Sequence, residues 1–206
     1  MKLIKQTVDC IFSIKQSLPI LQSFHMYCFA AIFPISLIAL ISLVSNRMEP
    51  TNFSDIGFLL TSIFIAPFLE TLIFCAPLVF FKKVDDKTTR GLMLCIFAMV
   101  FALSHFVFSE RDAWTLIALF WLGLINALAF DNFMRIGGPA ILITTCIHTI
   151  YNLHIATLTY TSDFVLKNQN AETLFFALAV FFYLLLNAIF FMRNLKNILL
   201  RCNVSE

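Results

Sequence analysis

Long apolar runs separated by short polar or charged clusters set the pattern of this chain, and six of them are long enough to be read as membrane-crossing helices. The pattern predicts spans at 24–44, 57–81, 91–108, 114–130, 139–160 and 173–192, the third and fourth being short. Ahead of them, 1–23 alternates Leu3, Ile4, Val8, Ile11, Phe12, Ile14 and Leu18 with Lys2, Lys5, Asp9 and Lys15, which predicts an amphipathic helix lying in the membrane interface. It does not read as a cleaved signal peptide, because the apolar stretch begins only near Phe24 and no small-residue cleavage site follows. No internal repeat, low-complexity tract or linker interrupts the pattern. The expected organisation is therefore the interfacial helix at 1–23, one transmembrane domain at 24–192 with its core at about 57–160, and a tail at 193–206.

Composition agrees with this reading and excludes others. Of 206 residues 60% are hydrophobic and 13% charged, with a mean hydropathy of +0.90, well above the apolar share of about 45 to 50% usual in soluble domains. Twenty-five Phe and only five Gly suit lipid-facing helices better than a barrel of short alternating strands. The fold class expected is all-α, a polytopic membrane bundle of about six helices. The net charge of +2 forms no basic stripe with interleaved aromatics, so nucleic acid is not an expected partner. Six cysteines without CxxC spacing, four of them in apolar runs, imply no disulfide framework.

The basic residues give an orientation. Alternate spans place Lys2, Lys5, Lys15, Lys82, Lys83, Lys87, Arg90, Arg135, Arg193, Lys196 and Arg201 on one side, eleven in all, and only Arg47, Arg111 and Lys167 on the other. The richer side is expected to be cytoplasmic and to hold both termini, as for a multi-pass protein of a bacterial cell membrane.

The candidate chemistry begins with one carboxylate in the apolar stretch 67–77, PFLETLIFCAP. Glu70 lies 13 residues after Gly57 and 12 before Lys82, so it sits roughly 18 to 20 Å from either end of a straight helix, near the bilayer midplane. An ionisable group costs at least ~2.5 kcal/mol there, so its presence is a functional-site hypothesis. The third span carries His105 and the fifth carries His148 and Asn152, an i, i+4 pair on one helix face that also holds Thr145 and Thr159. Counted from the cytoplasmic end, Glu70 lies ~18 Å deep, His105 ~21 Å, His148 ~14 Å and Asn152 ~20 Å. All four reach one slab. His25, near the inner end of the first span, and His154, off the His148 face, read as structural, and Glu172 as an exposed helix-start residue.

Peptide hydrolysis needs a base for water, donors where negative charge develops and an acid for the leaving amine, and this set supplies them. Glu70, His105 and His148 would equally make a His2Glu zinc set, although no HExxH is present, so the metal-free and zinc readings both stand. Two other classes also stand: a proton-coupled transporter using the midplane Glu and His residues, and a non-catalytic scaffold or immunity-type protein.

Taken in order on separate helices, Glu70-Thr-x-x-Phe, Phe101-x-x-x-His105 and His148-x-x-x-Asn152 resemble the CPBP family, the type II CAAX-prenyl-protease and bacteriocin-processing intramembrane endopeptidases. The resemblance runs from about residue 66 to 152. It implies a membrane-embedded protease in which Glu70 and His105 activate water while His148 and Asn152 bind the oxyanion. The substrate implied is a membrane-associated peptide or protein, with a prenylated tail, a bacteriocin leader and an unrelated membrane peptide all open. Thr71 and Cys75 stand where that family's second Glu and its Arg would be. Losing both partners of an ion pair leaves no uncompensated buried charge, which points to a rewired support around Glu70. Pro67 has no N–H to donate and is expected to kink the helix there.

Overall fold

A computed structural model of the chain describes residues 20–44, 57, 60–107, 113–167, 182, 185 and 189. Among these the elements are all helical: α1 (Ile20–Val44), α2 (Thr61–Phe81), α3 (Lys87–Val107), α4 (Ala113–Arg135) and α5 (Ala140–Lys167). Four stretches, Thr61–Phe81, Lys87–His105, Thr115–Arg135 and Ala140–Leu158, are long and apolar enough to cross a membrane. The expected interfacial helix up to residue 19, most of the sixth span and the tail at 193–206 lie outside the described residues.

The centre of the bundle is α4. Of its membrane-length window 61% is buried inside the protein, against 28% in each of the other three, and it packs on α1, α3 and α5 and on the C-terminal half of α2. Small residues allow that approach: a Cβ at Gly123 would stand 3.0 Å from the Phe101 ring and 3.1 Å from the Ala98 backbone of α3. The outward faces carry large apolar side chains, among them Phe64, Phe68, Ile73 and Phe80 on α2 and Leu92 and Leu103 on α3. In water such belts would associate; against lipid tails they are the solvated surface.

The turns follow from local chemistry. Asp86 starts α3 by accepting the Thr89 backbone N–H at 2.7 Å. Hydrogen bonds from the Thr89 hydroxyl and then its N–H hold the Asp86 carboxyl below the usual carboxylate range. Because the folded value is the lower one, this contribution is fully present above the usual carboxylate value and is lost as pH falls through the lowered one. At the other end of α4, Gly138 N–H reaches Phe133 O at 2.8 Å and Gly137 N–H reaches Met134 O at 3.2 Å, with Gly137 at φ +74°, a left-handed helix stop that only glycine adopts without strain.

Three expectations need correction. The third and fourth spans are not short, because the helices run through the charges that were expected to end them. Asp131 is buried and accepts from Arg90 Nε and, at 2.7 Å, from Arg135 Nε. Arg90 also donates to Asn132 Oδ1 at 2.8 Å, Asn132 donates to the Tyr27 hydroxyl, and Arg135 caps Val84 O at 2.8 Å. Paired and hydrogen-bonded in this way, the charges stay inside the helical bundle instead of in loops. The expected break at residue 23 is absent, since α1 already starts at Ile20. A short repeat is present as well: Thr-x-Ile-Phe-x-Ala-Pro occurs at 61–67 and again at 71–77, and both copies open with the same five-residue backbone turn in α2.

Candidate active site

The helix that carries Glu70 changes winding three times, from π to α at Ala66, back to π at Thr71 and to a 3-10 turn at Ala76. Thr61–Ile65 and Thr71–Cys75 are π-helical turns, each closed by an alanine N–H donating five residues back, Ala66 to Thr61 O and Ala76 to Thr71 O. Each π turn is followed by the proline of its repeat. In this winding the next N–H after Ala66 would serve Ser62 O, but residue 67 is proline and has none to give. Asn152 of α5 supplies the missing donor, its Nδ2 lying 2.8 Å from Ser62 O. Glu70 falls between the two π turns, beside a buried stripe of Ile63, Pro67, Thr71, Cys75 and Leu78 that faces the bundle.

Three of the four expected residues meet. His105 Nε2 lies 3.4 Å from Glu70 Oε1, and His148 Nε2 lies 3.5 Å from Glu70 Oε2, so the carboxylate stands between two imidazoles from α3 and α5. The His105 side chain is 24% exposed and that of Glu70 20%, whereas His148 is 3% exposed, so the site is open on the His105 side and closed on the other. The orientation of His105 is fixed by its own helix. Its Nδ1 is 2.9 Å from Phe101 O, and a carbonyl only accepts, so Nδ1 carries the hydrogen and Nε2 presents its lone pair toward Glu70 in the neutral ring. Phe101 sets the spacing of both imidazoles, with ring centroids 4.5 Å from His105 and 5.7 Å from His148, and Phe74 meets Phe101 edge-on at 5.4 Å.

Asn152 does not join this group. One helical turn beyond His148, its amide donates to Ser62 O, eight residues before Glu70. Thr71 and Cys75 are both buried and line a cavity of about 10 Å³ together with Glu70, Phe74, Phe97, Phe101, Gly123, Asn126, Ala127 and His148. Asn126, on α4 and 3% exposed, is the residue the sequence motifs passed over. The signal for it was a lone amide three residues after Gly123, on the face that approaches α3. His154 lies away from the site, its Nε2 2.8 Å from Ser36 Oγ of α1. His25 is exposed, and Glu172 is outside the described residues.

Comparison of the chain with protein-family models, with curated proteins and with solved structures finds no match. The chemistry of the site therefore rests on its own geometry. A carboxylate and a neutral imidazole nitrogen facing each other at 3.4 Å are both acceptors, and a water molecule that donates to each satisfies both. That is the arrangement a general base needs to hold its water. Among the described residues no three His, Cys, Asp or Glu side chains form a ready metal-binding group.

Proposed function

We propose that this chain is an intramembrane endopeptidase of the CPBP type, hydrolysing a peptide bond of a membrane-associated protein or peptide. The observation that carries the reading is the Glu70 carboxylate held 3.4 Å and 3.5 Å from the two imidazoles, on helices long enough to bury it at membrane depth. In this reading Glu70 and His105 bind a water molecule, and Glu70 takes one of its protons. The hydroxide oxygen bonds to the peptide carbonyl carbon, and the carbonyl electron pair moves onto its oxygen, where a His148 N–H stabilises it. On collapse the C–N bond breaks and the amine nitrogen receives the proton from Glu70. Asn152 serves by holding the bend of α2 at Ser62. The architecture proposed with it is six spans preceded by an interfacial helix, in a bacterial cell membrane with both termini cytoplasmic.

The test compares the membrane peptidome of cells producing the wild-type chain with that of cells producing Glu70→Gln. Paired fragments that share one cut and vanish in the variant are expected; identical peptides in both would overturn the reading. One zinc held tightly per purified chain and lost in His105→Ala would move the same three residues to a His2Glu metal site. Proton flux without cleavage would favour the transporter, and a phenotype indifferent to all site substitutions the scaffold.

A further inference from the structure

Five buried side-chain atoms among the described residues have no hydrogen-bond partner: Glu70 Oε2, Thr71 Oγ1, Asn126 Oδ1, Thr144 Oγ1 and Thr145 Oγ1. The first three belong to residues that line one cavity beside Glu70. A buried polar atom left unsatisfied is destabilising, so three around one space is a costly arrangement unless something fills it. The cavity volume, about 10 Å³, matches what one water requires, and buried waters typically make about three hydrogen bonds. Donor and acceptor count closes with one molecule. Its two hydrogens go to Glu70 Oε2 and Asn126 Oδ1, and its oxygen accepts from the Thr71 hydroxyl.

We infer that this cavity is a binding site for one ordered water, held by Glu70, Thr71 and Asn126, and that Asn126 of α4 is a positioning residue of the catalytic centre. The inference deepens the endopeptidase reading and rests on it for its kinetic part. It explains why an amide stands in the most buried helix at the level of Glu70, and why threonine at 71 keeps a hydroxyl where its own helix offers no partner. The water lies on the Oε2 side of the carboxylate, apart from the water that Glu70 Oε1 shares with His105.

Two measurements test this, the first independent of any activity. In a high-resolution structure of the full chain in lipid, density for one water within hydrogen-bond reach of Glu70 Oε2, Thr71 Oγ1 and Asn126 Oδ1 is expected. An empty or collapsed cavity in a map that shows other buried waters overturns the inference, as does a cation with oxygen distances near about 2.4 Å. The second uses a substrate identified from the peptidome. Asn126→Leu is expected to lower kcat by about tenfold to a hundredfold at unchanged KM, with partial recovery in Asn126→Asp. Thr71→Val, nearly isosteric, serves if the leucine variant does not fold, with a smaller loss in the same direction. Equal losses in KM, or full activity in both variants, would make the cavity a mere packing defect. Should Glu70→Gln retain activity while the water is seen, the endopeptidase mechanism fails and the site itself stands.

Discussion

In its neutral form His105 turns an acceptor nitrogen toward Glu70 Oε1 at 3.4 Å, and one shared donor between them satisfies both. By taking the Nδ1 hydrogen, the Phe101 carbonyl fixes which nitrogen His105 turns toward Glu70, and in the neutral ring that nitrogen is an acceptor. The roles of the site residues are unequal, and so are the expected losses. In steady-state assays His105→Ala should reduce kcat nearly to background, since the water loses its second anchor. His148→Ala removes an oxyanion donor and should cost about 10² to 10³ in rate, roughly 2.7 to 4 kcal/mol. Cys75→Ala, which changes only a wall of the cavity, should stay within about tenfold. A His148→Ala enzyme faster than Cys75→Ala would contradict this assignment.

At the scale of the element, α2 is shaped by its two Ala-Pro pairs, and the bend at Pro67 is tied to α5 by one hydrogen bond. Asn152→Ala should leave Ser62 O without its donor and destabilise the protein by about 1 to 3 kcal/mol, read as a lower Tm in detergent. Restoring an N–H with Pro67→Ala should make the Asn152 substitution much less harmful, so the pair should couple in a double-mutant cycle. Additive effects would show that Asn152 acts elsewhere, the oxyanion being the first alternative. This is also where the sequence stops being legible. Helical register and depth counted at ideal rise brought Glu70, His105 and His148 together, because α3 and α5 are regular and the errors are smaller than a side chain's reach. The same register paired Asn152 with His148 as a second donor; the i, i+4 relation is real, but the π turns of α2 place the Ser62 carbonyl, and not the site, opposite the amide. Asn126 sits in no motif spacing, and only the packing of α4 against α2 brings it to the cavity. Arg90 and Asp131 are 41 residues apart, so their pairing was invisible to a reading that treats a charge as a helix end.

At the scale of the whole molecule, the bundle has a polar end where the 82–86 turn, the start of α3 and the end of α4 meet through Arg90, Asp131, Asn132 and Arg135. Asp131→Ala leaves two buried guanidinium groups without their carboxylate and should lose about 3 to 5 kcal/mol of stability, Arg90→Ala should lose less because Asp131 keeps Arg135, and the double substitution should lose less than the sum. Thermal unfolding of the three variants checks this, and additive losses would mean that the two charges do not depend on each other. The same end is expected in the cytoplasm, and cysteine labelling in intact cells should find a reporter in the 82–86 turn protected until the membrane is opened; labelling from outside would invert every span. The central claim, that Glu70 activates a water for peptide hydrolysis in the membrane, is tested most directly with purified wild type and Glu70→Gln in proteoliposomes, acting on one identified substrate in ¹⁸O-labelled water. The wild type should place one ¹⁸O in each new carboxyl terminus, and Glu70→Gln should fold with an unchanged Tm, bind the substrate and form no product above background. Product formation by Glu70→Gln at the wild-type rate would contradict it.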